Sequence, residues 1–279
     1  VALIPVPTSG GGDYLPARRN AFNSPGASAV KIAVCIKRVP VMDQRLAIAA
    51  NGIAIDESGL KFDVNDFDLW AVEAALQLKE KTGPGEVVII SLGPDAVQEQ
   101  IRKALSMGAD RGIHLQAAAL PPDARVVAQA LAAELTIGSY DLILLGRVAV
   151  DASNGATGAM VAQLMGLPCV TAVSKLEITA GRGRAQRELE GAQEIVEFPV
   201  PAVLTIDEGL NRERLPSLKG IMAAKKKPME VKPTTLAESR VTVRRLQMPP
   251  ERSAGRIVGE GAAAVPELVR LLQAEAKVL

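Results

Sequence analysis

The sequence predicts an α/β domain with a doubly wound, mostly parallel sheet, extended by a C-terminal arm, and three observations predict it. From residue 31 onward, short β-branched runs alternate with longer segments of helical periodicity, the order expected of a parallel sheet covered by helices on both faces. The strand-like runs are continuously apolar rather than alternating, as in strands buried on both sides. After Asp207 the chain becomes basic and proline-punctuated with few long apolar faces, the composition of an arm rather than a core. The expected organisation is a flexible extension over residues 1–29, an α/β domain over 30–207 and a loop with a docking arm over 208–279.

Residues 1–29 are rich in Gly, Pro, Ser and Asn and show no hydrophobic periodicity, so they fall outside the expected fold. Arg18 and Arg19 would suit a transit peptide, but Asp13 and the lack of an amphipathic pattern speak against one. Lys31 to Val39, with Ile32-Ala33-Val34-Cys35-Ile36 at its centre, reads as the first buried strand. A long connection follows, and Asn65 and Asp66 offer N-capping side chains to a helix carrying Phe67, Trp70, Ala71, Ala74, Ala75 and Leu78 at helical spacing. Gly83-Pro84-Gly85 stops that helix, and Glu86 to Ser91 makes the second buried strand. Past Gly93-Pro94-Asp95 a helix runs along Val97, Ile101, Ala104 and Leu105 to Gly108. Ile113 to Leu115 is a short strand, Asp123 opens the next helix, and Tyr140 to Leu145 is another buried strand. A Gly- and Ser-containing turn then leads into a helix through Val161 and Leu164. Cys169 to Ile178, a charged turn region, Glu194 to Phe198 and Ala202 to Ile206 read as more β-rich. A last amphipathic helix over Val265 to Val278 gives the arm a docking surface.

Composition narrows the possible roles. Lys and Arg number 32 against 31 Asp and Glu, a formal charge of +1, so no global field draws nucleic acid or an anionic membrane. The run Lys225-Lys226-Lys227 has no neighbouring aromatics on which bases could stack, which favours a protein-docking or solvated surface. No apolar stretch reaches the roughly 18 residues that span a bilayer, so no direct membrane insertion is expected. Cys35 and Cys169 lie far apart without metal-ligand spacing, which predicts no metal site and a reducing compartment. His114, the only histidine, sits in the apolar run Ile113-His114-Leu115 and reads as structural.

Ligands of open parallel sheets bind beyond the carboxyl ends of the strands, where free N–H groups at helix starts attract phosphate. Three strand exits meet that description: Cys35 to Lys37, Ser91-Leu92-Gly93, and Gly146 to Gly158. In the third, Asp151-Ala152-Ser153-Asn154-Gly155-Ala156-Thr157-Gly158 combines small residues that let a ligand approach the backbone with hydroxyl and amide donors. The segment matches neither GxxxxGK[ST] nor GxGxxG, and small polar residues also cap ordinary helices, so the pattern alone leaves nucleotide binding and plain capping open. Asp151 reads as a cap rather than a general base. No GxSxG elbow, paired carboxylates or His-centred constellation points to side-chain catalysis.

Several segments together resemble the beta subunit of electron-transfer flavoproteins, from about residue 31 to the C-terminus. They are Val34-Cys35-Ile36-Lys37-Arg38-Val39, Asn65-Asp66-Phe67-Asp68 with the Ala71 to Leu76 helix, Ile101 to His114, Thr157-Gly158, Leu167-Pro168, Leu218 to Pro228, and Pro249-Pro250-Glu251-Arg252-Ser253-Ala254-Gly255. The resemblance implies an adenine-nucleotide-hydrolase-like or flavodoxin-like fold and a heterodimer with an alpha-type subunit. The alpha-type subunit would hold most of a shared FAD, and this chain would bury AMP as a structural ligand. By motif position, Cys35, Asn65, Asp66, Phe67, Asp68, Ser91, Leu92, Gly93, Gly146, Asp151, Ser153, Asn154, Gly155, Ala156, Thr157 and Gly158 would surround the AMP. Phe67 and Met42 would lie near the FAD, while Leu218, Ile221 and Met222 would dock partner dehydrogenases.

The implied role is that of a non-catalytic electron carrier, taking electrons from acyl-CoA or other dehydrogenases, as in fatty acid β-oxidation, to a membrane quinone oxidoreductase. The implied compartment is the bacterial cytoplasm, or the mitochondrial matrix in a eukaryote. Gly155 and Ala156 stand where the AMP class carries Asn and Gln, Asp66 where Pro is common, and Met42 where an aromatic faces the flavin. The enlarged pocket keeps open a bifurcating form with a second FAD in place of AMP. A different class, a stand-alone ATP-binding regulator of the universal-stress-like fold, would have little use for the arm after Asp207.

Overall fold

The computed structural model describes residues 30–179, 181–250 and 254–279. The extension expected over residues 1–29 and the Glu251-Arg252-Ser253 part of the proline-rich motif lie outside the described residues. The elements are β1 (Val30–Cys35), β2 (Arg38–Pro40), β3 (Phe62–Val64), α1 (Asp66–Thr82), β4 (Gly85–Gly93), α2 (Val97–Met107), β5 (Arg111–Gln116), α3 (Ala124–Gly138), β6 (Leu142–Gly146), α4 (Thr157–Met165), β7 (Cys169–Thr179), β8 (Arg182–Leu189), β9 (Ala192–Pro199), β10 (Ala202–Ile206), α5 (Leu218–Ala224), β11 (Met229–Pro233) and α6 (Val265–Leu271).

Nine strands form one sheet in the order β11-β5-β4-β1-β6-β10-β7-β8-β9. All pairings from β11 to β7 are parallel, and β7-β8-β9 closes that end as an antiparallel meander. The continuous apolar runs feed both faces. In β1, Ile32 and Val34 pack with α1 and α2, whereas Ala33 and Cys35 pack with α3 and α4. Leu142 and Leu144 of β6 join the first layer, Ile143 and Leu145 the second. This two-sided burial is the doubly wound architecture, and it explains why these strands do not alternate polar and apolar residues.

From β1 the chain winds outward through β4 to β5, then crosses back to β6 on the other side of β1. The carboxyl ends of β1 and β6 therefore flank the point at which the winding reverses, where the loops leaving adjacent strands diverge and open a crevice.

Three local expectations need correction. The charged turn region after Ile178 is strand β8, in which Arg182, Arg184 and Glu188 are exposed while Gly183 and Ala185 are buried. Asn65 does not cap α1 with its side chain, because both ends of its amide are engaged elsewhere. The long connection after β1 carries structure of its own: β2 and β3 pair as a small antiparallel ribbon.

The segment after Asp207 is partly built into the body. Arg214 donates to Glu73 and Glu80 of α1, β11 pairs with β5 as the edge strand, and Lys232 reaches the buried Glu134 at 2.8 Å. Farther on, the Arg240 N–H donates to Asp123, which also caps α3 through the Arg125 N–H, and the Leu246 N–H donates to the Gly52 carbonyl. The last helical stretch is α6 with one wide turn over Leu272–Ala276; Leu271 is buried, but Leu268 and Val269 remain exposed. No helix among the described residues is long and apolar enough to cross a membrane.

Candidate functional site

Two side chains from the start of α1 assemble the crevice. Asp68 is buried and spans the exits of both flanking strands, accepting from the Lys37 N–H at 2.7 Å and the Gly146 N–H at 2.9 Å. Asn65 holds the following loop with both ends of its amide, donating to the Val148 carbonyl at 2.9 Å and accepting from the Val150 N–H at 3.1 Å. These two residues are a frame for the loop, with their polar atoms already used. Asp66 between them is exposed.

Burial pushes the Asp68 carboxyl up to about 7, against the pull of the hydrogen bonds it accepts. Cys35, at the end of β1, is likewise pushed up, first by burial and then by the neighbouring Asp68 carboxylate, so it stays a thiol. Ser91 is buried and its hydroxyl donates to the Ile36 carbonyl at 2.9 Å, drawing the β4 exit against that of β1. Leu92 and Gly93 are buried beside it, and His114 sits within hydrogen-bond distance of the Gly93 carbonyl, 2.8 Å from Nε2, in the structural role expected.

The loop leaving β6 is shaped by close approach. A Cβ on Gly146 would lie 2.4 Å from Asp68 Oδ1, and one on Gly158 would lie 2.3 Å from Thr205 Cγ2, so both positions need glycine. Ser153 and Gly155 take positive φ values of 51° and 58°, curling the loop before α4. Asp151 is not the helix cap expected of it; its carboxylate pairs with Lys37 Nζ at 2.6 Å and pins the loop to the β1 exit. Ala156 occupies the N-cap position of α4 and supplies no side-chain hydrogen bond. The first-turn N–H groups of α4 therefore face the loop without a side-chain acceptor, beside Ser153, Asn154 and Thr157, whose side chains make no hydrogen bond among the described residues. An anion is the natural complement of such a helix start.

At the mouth, the half-buried Phe67 meets Trp70 edge to face at 5.0 Å, and the Arg147 guanidinium lies 5.4 Å from the Phe67 ring centroid. Arg147 is itself held by Asp207 at 3.0 Å. Composition gave no hint of this pairing, because Arg147 and Asp207 are 60 residues apart in the chain and meet only when β6 and β10 lie side by side. Met42 is exposed in the loop after β2.

A second opening at the same edge, about 480 Å³ and lined by Pro94, Asp95, Gln116 and Thr234, lies beyond β4 and β5. Its carboxylate already accepts from Gln116 Nε2 at 2.6 Å, and although α2 starts beside it from Ala96 without a side-chain cap, the Val97, Gln98 and Glu99 N–H groups already donate to the Pro94, Asp95 and Ala96 carbonyls. The crevice between β1 and β6 is the better-built site.

The three residues expected to dock a partner, Leu218, Ile221 and Met222, are on α5. Leu218 is 83% exposed and Met222 72% exposed, with Ile221 also exposed, so none of the three packs into the core of the chain. Of the three adjacent lysines, Lys225 and Lys226 are exposed, whereas Lys227 turns inward and donates to the Leu105 and Ala109 carbonyls.

The electron transfer flavoprotein domain profile matches residues 52–237. An electron transfer flavoprotein subunit beta of Bacillus subtilis is 35% identical over 260 residues, covering 90% of this chain and 100% of the relative. That of Syntrophomonas wolfei is 36% identical over 251 residues, covering 89% and 98%. The human protein of the same name is 37% identical over 236 residues, covering 81% and 91%.

Proposed function

The chain belongs to the electron transfer flavoprotein beta-subunit family, and from that premise we propose that it holds AMP as a structural ligand and shares an FAD with an alpha-type subunit. The observation that carries this reading is the crevice between β1 and β6. It has strand exits clamped by Asp68, a loop framed by Asn65, and an uncapped α4 start reached through Gly155.

The residues fit a mononucleotide. The α4 N–H groups and the Ser153 and Thr157 hydroxyls supply phosphate donors, and Lys37 offsets the Asp151 carboxylate that would otherwise repel an anion. Cys35 and Leu92, buried near the exits of β1 and β4, would offer a base apolar surroundings away from water. Bound FAD would supply the redox chemistry, and this chain would supply part of its surroundings. Phe67, steadied by Trp70 and Arg147, presents an aromatic surface at the mouth. Electrons would then pass between dehydrogenases, met through Leu218, Ile221 and Met222, and a downstream acceptor. No bond-making step is assigned to this chain.

The test is co-expression with the alpha-type subunit, denaturation of the purified complex, and chromatography of what is released. One AMP and one FAD support the reading. Two FAD would assign the bifurcating form, and ATP on a lone monomer would reject the heterodimer.

A further inference from the structure

We propose that Arg102 and Lys227 are positioning residues for partner docking, exchanging cations between α2 and α5 so that the apolar face of α5 is held in place before a partner arrives. The inference rests on the docking role proposed for Leu218.

With seven residues, α5 is too short to persist by its own hydrogen bonding, and only Ala224 within it is buried. Its order has to come from outside. Neither α2 nor α5 carries a basic residue in its own last turn, where a cation would offset the exposed carbonyls. Each helix obtains that cation from the other. Arg102 of α2 donates through Nη1 to the Ala224 carbonyl at 2.6 Å and the Lys227 carbonyl at 2.7 Å, closing the end of α5. Lys227, just past α5, donates through Nζ to the Leu105 carbonyl at 3.0 Å and the Ala109 carbonyl at 2.6 Å, closing the end of α2.

The seat is tight as well. A Cβ on Gly220 would lie 2.4 Å from the Ser106 carbonyl oxygen, so the two backbones touch where any side chain would separate them. Ser217 caps the other end of α5, its hydroxyl accepting from the Gly220 N–H at 3.0 Å.

Fixed in this way, α5 turns Leu218 and Met222 outward, with Leu215 exposed just before it. The exposed Lys219, Lys225 and Lys226 flank this apolar face. The surface fits a partner protein with an apolar socket rimmed by acidic side chains. Lys227 is outside that surface: its ammonium is committed to α2, and burial lowers its pKa. Salt-sensitive docking therefore involves Lys225 and Lys226 rather than the whole run. Pre-ordering matters because a helix that had to fold on contact would give up part of its binding free energy to ordering.

The test uses the purified heterodimer, with a purified acyl-CoA dehydrogenase and its acyl-CoA as the probe. Arg102→Leu and Lys227→Met should each accelerate amide exchange across residues 218–224 and raise KM for the dehydrogenase about tenfold, with bound flavin and kcat retained. Arg102→Lys, which keeps one donor cation, should recover part of both effects. Faster exchange with unchanged KM would overturn the link to docking, and unchanged exchange would overturn the cation exchange itself. Leu218→Ala separates the underlying reading. If it leaves KM unchanged, the docking role fails; if it raises KM while the Arg102 and Lys227 variants do not, only the positioning role fails. Should Arg102→Leu prove insoluble, Lys227→Met and Arg102→Lys decide the matter.

Discussion

Replacing Asp68 with Asn isolates the carboxylate on which the crevice is framed. In the fold its pKa is raised to about 7 by burial, while an unfolded Asp titrates at about 3.9. At about 1.4 kcal/mol per pH unit, the gap corresponds to about 4 kcal/mol. The sign follows from the raised value. Between these limits the folded chain binds more protons than the unfolded one, so this side chain's contribution is complete below about pH 4, is lost as pH rises to about 7, and is constant above. Cys35, packed against it, is pushed up by burial and does not titrate in that window, and the Lys37 ammonium is the charge facing it from the β1 exit. An Asn at this position cannot titrate, but its amide can accept only one of the two N–H bonds now made by Lys37 and Gly146, a loss of about 1–3 kcal/mol. Denaturant unfolding of both proteins at half-unit steps from pH 4.5 to 8.5 gives the comparison. The wild type should lose stability relative to Asp68→Asn as pH rises, by up to about 4 kcal/mol, levelling above pH 7. Parallel curves across the range would refute the reasoning, because they would mean that the carboxyl titrates alike folded and unfolded.

Three further outcomes follow from particular contacts. Gly158→Ala places a methyl against Thr205 and should force α4 off β10, destabilising the chain by about 1–3 kcal/mol in thermal unfolding and lowering AMP content. Asp123→Ala removes both the α3 cap and the Arg240 anchor, so the thermal unfolding midpoint should fall, with faster amide exchange near residue 240. Lys225→Ala with Lys226→Ala should flatten the salt dependence of reduction by an acyl-CoA dehydrogenase, while Lys227→Ala should instead loosen α5 in hydrogen exchange.

The parallel body of the sheet was legible because β1, β4, β6 and β10 are buried on both faces, and two-sided burial writes itself as unbroken apolar runs. What escaped were elements whose reason for existing lies elsewhere in the chain. Strand β8 alternates small buried residues with long charged ones, so its charges dominate any local reading. Helix α5 has too few residues to show a period and is ordered by Arg102, more than 100 positions earlier. At the crevice, residue types were readable but their duties were not. Asn65 and Asp151 look like caps to the chain beside them, and only the approach of the β6 loop turns one into a bracket and the other into an ion-pair partner of Lys37. Gly146 and Gly158 were readable as small, but not as positions where a methyl would strike Asp68 or Thr205.

Whether the start of α4 grips a phosphate is decided by titrating nucleotide-stripped protein with AMP while following the backbone amide signals. A phosphate held there makes Gly155, Thr157, Gly158 and Ala159 shift together and saturate at one equivalent. Shifts confined to the opening at Asp95 and Thr234, or no saturable shift anywhere, would rule out a phosphate at α4.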